Sequence, residues 1–145
     1  KLQIEILQKL IPLVSKGKPE LLYIGDASDR DLRQKNERME ELGIKVMSQS
    51  GNMPDIIFYD QQEKRVIFIE VYHSTDPFTL NRVNALKSLC HCEAGTEAAF
   101  ITAFDTTAKM LKHYKEVAWY TEIWSSDELT HLLHKNGDKF VGRPL

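Results

Sequence analysis

Two strongly apolar runs joined by a polar turn constrain the fold more than any other part of this sequence. The runs are PDIIFYD (54–60) and RVIFIEVY (65–72). Both are short and rich in β-branched and aromatic residues, and the turn around residues 61–63 is polar, which predicts an antiparallel β-hairpin. Each run nevertheless contains an internal carboxylate, Asp55 near the start of the first and Glu70 near the end of the second.

The spacing of these two acids predicts that they face each other. If the turn is symmetric about Gln62 and Glu63, residues that pair across the hairpin have numbers that sum to 125, so Asp55 pairs with Glu70 on one face of the sheet. Two such charges inside apolar strands destabilise the fold unless a cation compensates them, and carboxylate oxygens on a rigid sheet suit Mg²⁺. Two alternatives remain: the acids lie in water or pair with Arg or Lys, or a register slip of one residue separates them.

Helices and strands are predicted on both sides of the hairpin. Asp76 and Pro77 are typical of a helix start, as the cap and the first helical residue. The order indicates an α/β or α+β domain with a mixed central β-sheet flanked by helices. The predicted elements are helix 1–16, strand 21–25, helix 26–43, strand 44–47, the hairpin, helix 76–92, strand 98–104, helix 105–117, strand 118–124 and a short helix or turn over 126–140.

Composition excludes some classes of protein. With 145 residues, of which 42% are hydrophobic, the chain fits one globular domain. Its formal net charge of -2 gives no overall positive field, so any basic patch for nucleic acid is local. Cys90, His91 and Cys92 fall short of the four ligands of structural zinc and indicate a reduced, cytoplasmic chain. No apolar run approaches the roughly 20 residues of a membrane span, which predicts a soluble protein without a membrane partner.

Seven short segments, in order along the chain, resemble the catalytic domain of BsuBI/PstI-type restriction endonucleases, a branch of the PD-(D/E)XK nuclease superfamily. Beyond the two acids, the resemblance extends through almost the whole chain. The segments are YIGD (23–26), LGI (42–44), PDIIFYD (54–60), IFIE (67–70), ITAF (101–104), AWYTEIW (118–124) and HLLHKNGDKFVG (131–142).

The resemblance implies a type II restriction endonuclease that hydrolyses phosphodiester bonds of double-stranded DNA, with a restriction-endonuclease-like αβββαβ core. Asp55 and Glu70 would be its metal-binding acids, for Mg²⁺ or, as a substitute, Mn²⁺. It further implies that residues 1–145 are the nuclease domain alone and that the family's upstream DNA-recognition domain is absent from this chain. A homodimeric full-length enzyme is expected by analogy, because cutting both strands of a palindromic site calls for two-fold symmetry.

The chain departs from the family pattern just after Glu70. Tyr72 occupies the position where the wider fold keeps a lysine, and we expect it to orient water or phosphate. Arg82, on the following helix, is the candidate for the cationic role. Residues 73–77 read HSTDP rather than the family's Thr-Ser-His-Gly-Pro. These changes leave open an alternative function, a catalytically degenerate nuclease-fold module used for DNA binding or assembly.

Other polar residues are weaker candidates. Asp26 is expected to cap a helix or form a turn, with a second interpretation in which it borders the site. The rest are expected to be structural or solvated: Glu37, Glu40, Glu41, His131, His134 and Asn136.

Overall fold

The structure of the protein is a computed structural model that describes residues 2–25, 36–45, 53–72, 76–88, 90–92 and 94–137. The elements in chain order are helix α1 (Leu2–Glu5), a π-helical segment (Ile6–Leu10), α2 (Ile11–Val14), β1 (Pro19–Ile24), α3 (Asn36–Glu41), β2 (Ile56–Asp60), β3 (Arg65–Val71), α4 (Leu80–Lys87), β4 (Glu97–Phe104), α5 (Thr107–His113), a 3₁₀ turn (Tyr114–Glu116), β5 (Thr121–Ser125) and β6 (Leu133–Lys135).

The described strands form one mixed sheet of six strands in the order β1 to β6. β1, β2 and β3 are antiparallel neighbours, β3, β4 and β5 run parallel, and β6 returns antiparallel to β5. Helices α4 and α5 lie between the parallel strands in the chain, as a parallel connection requires. The predicted fold class, a mixed sheet flanked by helices, is therefore confirmed.

The hairpin has the predicted register. Ile56 pairs with Ile69 and Asp60 pairs with Arg65, so that the numbers in both pairs sum to 125. Asp60 is buried, and its Oδ1 accepts hydrogen bonds from the backbone N–H groups of Gln62 and Glu63, both at 3.1 Å. The symmetric turn is thus fixed by a side chain that satisfies its backbone donors.

Both faces of the sheet are covered by apolar packing. The N-terminal helical stretch supplies Leu2, Ile6 and Leu10 to one face. On the other face, α3 and α4 contribute Met39, Val83 and Leu86, which pack against hairpin side chains. Successive strand residues point to opposite faces, so the continuous apolar runs of β2 and β3 are those of strands buried on both sides. The hairpin acids consequently lie next to the protein core.

The N-terminal helix, predicted over 1–16, contains a π-helical segment. Ile11 donates its backbone N–H to the carbonyl of Ile6, five residues earlier, just before Pro12. Proline has no N–H, and its ring clashes with the carbonyl four residues before it, so the wider turn accommodates Pro12 without ending the helix.

The predicted start of the helix after the hairpin was wrong. Asp76 does not cap it and Pro77 is not its first residue, since α4 begins at Leu80 after the N-cap Thr79. The preceding residues are held extended because Phe78 is fully buried and its N–H donates to Thr102 Oγ1 at 3.1 Å. Thr79 Oγ1 then accepts from the backbone N–H of Arg82, three residues on.

Three further predictions need correction. Instead of a strand over 44–47, Ile44 forms an isolated bridge with Cys90, and residues 46–47 lie outside the described part. The helix predicted over 105–117 is shorter, because Thr106 caps α5 and a 3₁₀ turn follows it. The strand predicted over 118–124 starts only at Thr121, after a turn in which Tyr120 has φ +66°.

The C-terminal stretch contains strand β6 rather than the predicted helix or isolated turn. β6 pairs with β5, and its Lys135 is buried. Lys135 Nζ donates to the carbonyls of Tyr114 and Val117 at 3.0 and 2.7 Å, which satisfies the ammonium group inside the fold. Long-range pairing therefore determines the local structure there. None of the described helices has the length and apolar character that a membrane crossing requires.

Candidate active site

A cleft of about 510 Å³ opens at the end of the hairpin where β2 starts and β3 ends. The predicted acids Asp55 and Glu70 both line it, together with Arg82. Its other lining residues come from the end of β1, the segment before β2 and the segment before α4: Tyr23, Gly25, Met53, Pro54, Asp76, Pro77 and Thr79.

Asp55 is held by two neighbouring strands. Its carboxylate Oδ2 accepts a hydrogen bond from the backbone N–H of Val71 at 2.7 Å, and its main-chain carbonyl accepts from Gly25 N–H, also at 2.7 Å. Pro54 lies just before Asp55 and favours extended backbone at the preceding residue, Met53. The side chain is partly buried, so Asp55 is fixed in position while it lines the cleft.

Glu70 is almost entirely buried, with 2% of the residue exposed. Its Oε2 accepts from Arg82 Nε at 3.3 Å, and the guanidinium also donates through Nη2 to the carbonyl of Met53 at 3.0 Å. Glu70 Oε1, by contrast, accepts no hydrogen bond from any residue that the structure describes. A buried carboxylate oxygen without a donor is costly, and such an atom in a cleft is a position for a ligand.

The pKa of Glu70 is raised from its ordinary value of 4.5 to about 7. Burial is the main cause because it disfavours the charged form, and the negative charge of Asp55 raises the pKa further. Arg82 acts in the opposite direction through its charge and its hydrogen bond, but it does not cancel the effect of burial. The cleft therefore holds a carboxylate whose negative charge is only partly compensated by protein groups.

This electrostatic imbalance predicts how stability changes with pH. Because the pKa of Glu70 is higher in the folded than in the unfolded protein, the folded state binds its proton more tightly, and stability falls as pH rises from 4.5 to about 7. The variant Glu70→Gln has no such carboxyl group, so its stability should not fall with pH for this reason. Without divalent cations we expect its free energy of unfolding, relative to wild type, to increase by about 3 kcal/mol across that window.

Urea unfolding at several pH values between 4 and 8 measures this difference. Glu63→Gln, which changes an exposed glutamate of the hairpin turn, is the matched control and should track wild type at every pH. If the difference in unfolding free energy between Glu70→Gln and wild type does not vary with pH, Glu70 is ionised equally in the folded and the unfolded protein.

The residues of the cleft fit a hard divalent cation. Asp55 and Glu70 supply carboxylate oxygens, and the buried Glu70 Oε1 lacks a protein donor. Within the described ranges, no third His, Cys, Asp or Glu side chain joins them in a group that could hold a metal ion. A site with two carboxylates leaves its other positions to water and substrate oxygens, which is the usual arrangement for Mg²⁺.

The structure does not bring Tyr72 into the cleft. Although it follows Glu70 by two residues, its hydroxyl is 2.8 Å from His113 Nε2, and its ring stacks on Phe104 at a centroid distance of 4.9 Å. Of the four predicted site residues, Asp55, Glu70 and Arg82 therefore lie together and Tyr72 lies apart from them.

Several residues around the cleft do not stand out in the sequence. Gly25 belongs to the YIGD segment, and its backbone N–H donates to the main-chain carbonyl of Asp55. Asp26, the residue singled out in that segment, lies outside the described residues. Asp76 lines the cleft instead of capping a helix, and its place in the departing segment 73–77 is the signal that could have marked it. His113 carries no sequence signal, because it is 41 residues from Tyr72.

Comparison with known proteins places this chain in a family. The model of the BsuBI/PstI restriction endonuclease domain matches residues 1–138. The chain belongs to this family. It is 30% identical over 139 residues to the type II restriction enzyme BsuBI of Bacillus subtilis, a match that covers 94% of this chain and 42% of that protein. It is also 28% identical over 102 residues to the type II restriction enzyme AplI of Arthrospira platensis, covering 69% and 31%.

A solved structure supports the same assignment. The SdaI restriction endonuclease superposes with a TM-score of 0.85 at 30% identity, over 98% of this chain and 44% of that one. The chain thus spans less than half the length of the family relatives it matches. The resemblance stated from the motifs is confirmed, and so is the restriction-endonuclease-like fold.

Proposed function

We propose that this chain is the catalytic domain of a type II restriction endonuclease that hydrolyses phosphodiester bonds of double-stranded DNA with Mg²⁺. The observation that carries the proposal is the cleft, where the buried Glu70 presents an oxygen without a donor beside the carboxylate of Asp55, in a chain of the BsuBI/PstI family. A negatively charged, partly desolvated oxygen pair is stable there when a cation binds.

Asp55 and Glu70 would hold the cation, and Mn²⁺ could take its place. When bound, the ion would polarise a phosphoryl oxygen and favour the ionisation of a water. The protein's own groups fix the two acids: Val71 N–H orients the Asp55 carboxylate, and Arg82 orients that of Glu70. Arg82 lines the same cleft. It would therefore supply the positive charge of the lysine that the wider fold keeps at the position of Tyr72.

The partners of the full-length protein follow from the same proposal. Because both strands of a palindromic duplex present equivalent phosphodiesters, we propose that the full-length enzyme acts as a homodimer with two clefts related by two-fold symmetry. The remaining length of the family relatives would include the part that selects the DNA sequence.

A second candidate function is a nuclease-fold module that binds DNA or assembles without cutting. One observation favours it: the residue at the lysine position, Tyr72, directs its hydroxyl to His113 rather than into the cleft. No ammonium group then reaches the reacting phosphate from that position.

Plasmid cleavage by the full-length protein separates the two candidates. With Mg²⁺ we expect conversion of supercoiled plasmid into fragments of fixed length, complete suppression by EDTA, and recovery when Mn²⁺ or excess Mg²⁺ is added. DNA binding without cleavage in both Mg²⁺ and Mn²⁺ would reject the enzyme in favour of the binding module. Cleavage that persists in EDTA would reject the role of the cation.

A further inference from the structure

A third carboxylate, that of Asp76, lines the cleft and has no role in the proposed function. Asp55 and Glu70 reach the cleft from the hairpin, whereas Asp76 belongs to the segment that precedes α4. Asp76 is exposed, and within the described part of the chain no residue donates a hydrogen bond to its carboxylate. Its oxygens are therefore open to a ligand that enters the cleft.

The backbone that carries Asp76 is fixed by its neighbours. Pro77 follows Asp76 and restricts it to extended backbone. Phe78 is fully buried, its N–H donates to Thr102 Oγ1 at 3.1 Å, and its carbonyl accepts from Ala118 N–H at 2.7 Å. A ligand that contacts Asp76 therefore has to order only side-chain torsions, which lowers the entropic cost of the contact.

Other charged groups of the cleft already have protein partners. The Asp55 carboxylate accepts from a backbone N–H, and the Arg82 guanidinium donates to Glu70 Oε2 and to a main-chain carbonyl. Two carboxyl acceptors differ from these because no described residue donates to them: the buried Glu70 Oε1 and the exposed Asp76 carboxylate. A cation with its bound waters satisfies both, since it offers positive charge to the first and water O–H donors to the second.

The position of Asp76 suits a contact through water rather than direct binding of the ion. Within the described ranges, Asp76 does not form a group of three possible metal ligands with Asp55 and Glu70. Its charge nevertheless acts at the end of β3, since the pKa of Tyr72 is raised by burial, then by Glu116 and by Asp76. Mg²⁺ keeps several of its waters in proteins, and a carboxylate is a strong acceptor for them.

We propose that Asp76 positions the hydrated cation of the cleft, by accepting hydrogen bonds from waters that a divalent cation at Asp55 and Glu70 retains. The inference rests on the proposed function, because that cation is the ligand. Only hydrogen bonds form, no covalent bond changes, and Asp76 adds its negative charge to the attraction for the ion. Asp76 is a positioning residue. The family pattern has a glycine at its place, which offers neither the charge nor the acceptor.

Removing the charge of Asp76 is expected to weaken cation binding. For the full-length protein without DNA, calorimetry should give a Kd for Mn²⁺ about fivefold higher in Asp76→Asn than in wild type. In water, the attraction between a carboxylate and a divalent cation one water molecule apart is worth up to about tenfold in affinity, and salt screens part of it. Asp76→Glu keeps the charge and should bind Mn²⁺ within about twofold of wild type.

Two further measurements distinguish positioning through water from direct binding and from a structural role. Electron–nuclear double resonance in isotopically labelled water counts the waters on bound Mn²⁺. This number should be the same in Asp76→Asn and wild type, because an acid that contacts the ion only through water displaces none of its waters. The difference in Kd should also shrink as the NaCl concentration rises, since salt screens exposed charges, whereas a structural defect would not depend on salt in this way.

The matched control is Glu128→Gln, which removes an exposed charge shortly after β5, at the same edge of the sheet as the end of β3. This control should bind Mn²⁺ as wild type does, and thermal unfolding identifies any variant that fails to fold.

The results separate this inference from the proposed function. Unchanged Mn²⁺ affinity in Asp76→Asn, an equal loss in Glu128→Gln, or an additional water on the ion in Asp76→Asn would each overturn the positioning role, while cleavage by the wild type still supports the enzyme. A wild type that cuts DNA but binds no Mn²⁺ without DNA has the same meaning. If the wild type neither binds Mn²⁺ nor cuts DNA, the proposed function fails and the positioning role fails with it.

Discussion

Asp55→Asn and Glu70→Gln are each expected to reduce DNA cleavage by the full-length protein about a thousandfold or more, the loss that follows when charge stabilisation of a transition state is removed. Each substitution keeps the size of the side chain and removes the negative charge of one of the two proposed cation ligands that line the cleft. Asparagine can still accept from Val71 N–H, so the loss in that variant would come from the charge rather than from the hairpin.

Single-turnover cleavage of a plasmid with excess enzyme measures the chemical step, and calorimetry with Mn²⁺ measures cation binding without DNA. Both variants should bind Mn²⁺ at least about tenfold more weakly, because a ligand charge is lost. Glu63→Gln, at the exposed hairpin turn, should cut and bind as wild type does. Cleavage at the wild-type rate in either acid variant would contradict the assignment of both residues as ligands.

The hairpin and its two acids were predictable because local physics determines them. The turn is fixed by Asp60 within four residues of sequence, and its symmetry sets the register that brings Asp55 to the end of β3. Alternation along the strands then places Glu70 on the same face as Phe68. The number of residues in the turn was enough to predict the register that brings the two acids of the candidate site together.

The surroundings of the acids depend on contacts between distant parts of the chain. Asp76 and Pro77 have the local pattern of a helix start, but the burial of Phe78 against Thr102 moves that start to Thr79. The partner of Tyr72 is His113, on a helix that follows another strand. Such pairs are visible only once the sheet order is known, because tertiary packing overrides local preference.

Breaking the buried ion pair between Arg82 and Glu70 is expected to reduce both stability and cleavage. Arg82→Ala removes the guanidinium that donates to Glu70 Oε2 at 3.3 Å and to the Met53 carbonyl at 3.0 Å. The carboxylate stays in its buried position without its positive partner, so we expect the protein to lose about 2–3 kcal/mol of unfolding free energy at pH 8. Cleavage should fall at least about a hundredfold, because Glu70 is no longer oriented.

Urea unfolding at pH 8 without divalent cations tests the cause of this loss. Arg65→Ala, which breaks the more exposed pair with Glu97, is the matched control and should cost less than about 1 kcal/mol. If the penalty of Arg82→Ala arises from an uncompensated buried charge, the double variant Arg82→Ala with Glu70→Gln should regain most of the lost stability while remaining unable to cut DNA. A double variant that is no more stable than Arg82→Ala would assign the loss to packing of the arginine stem instead. Recovery of stability without recovery of cleavage would mean that the fold retains this carboxylate for its chemistry and at a cost in stability.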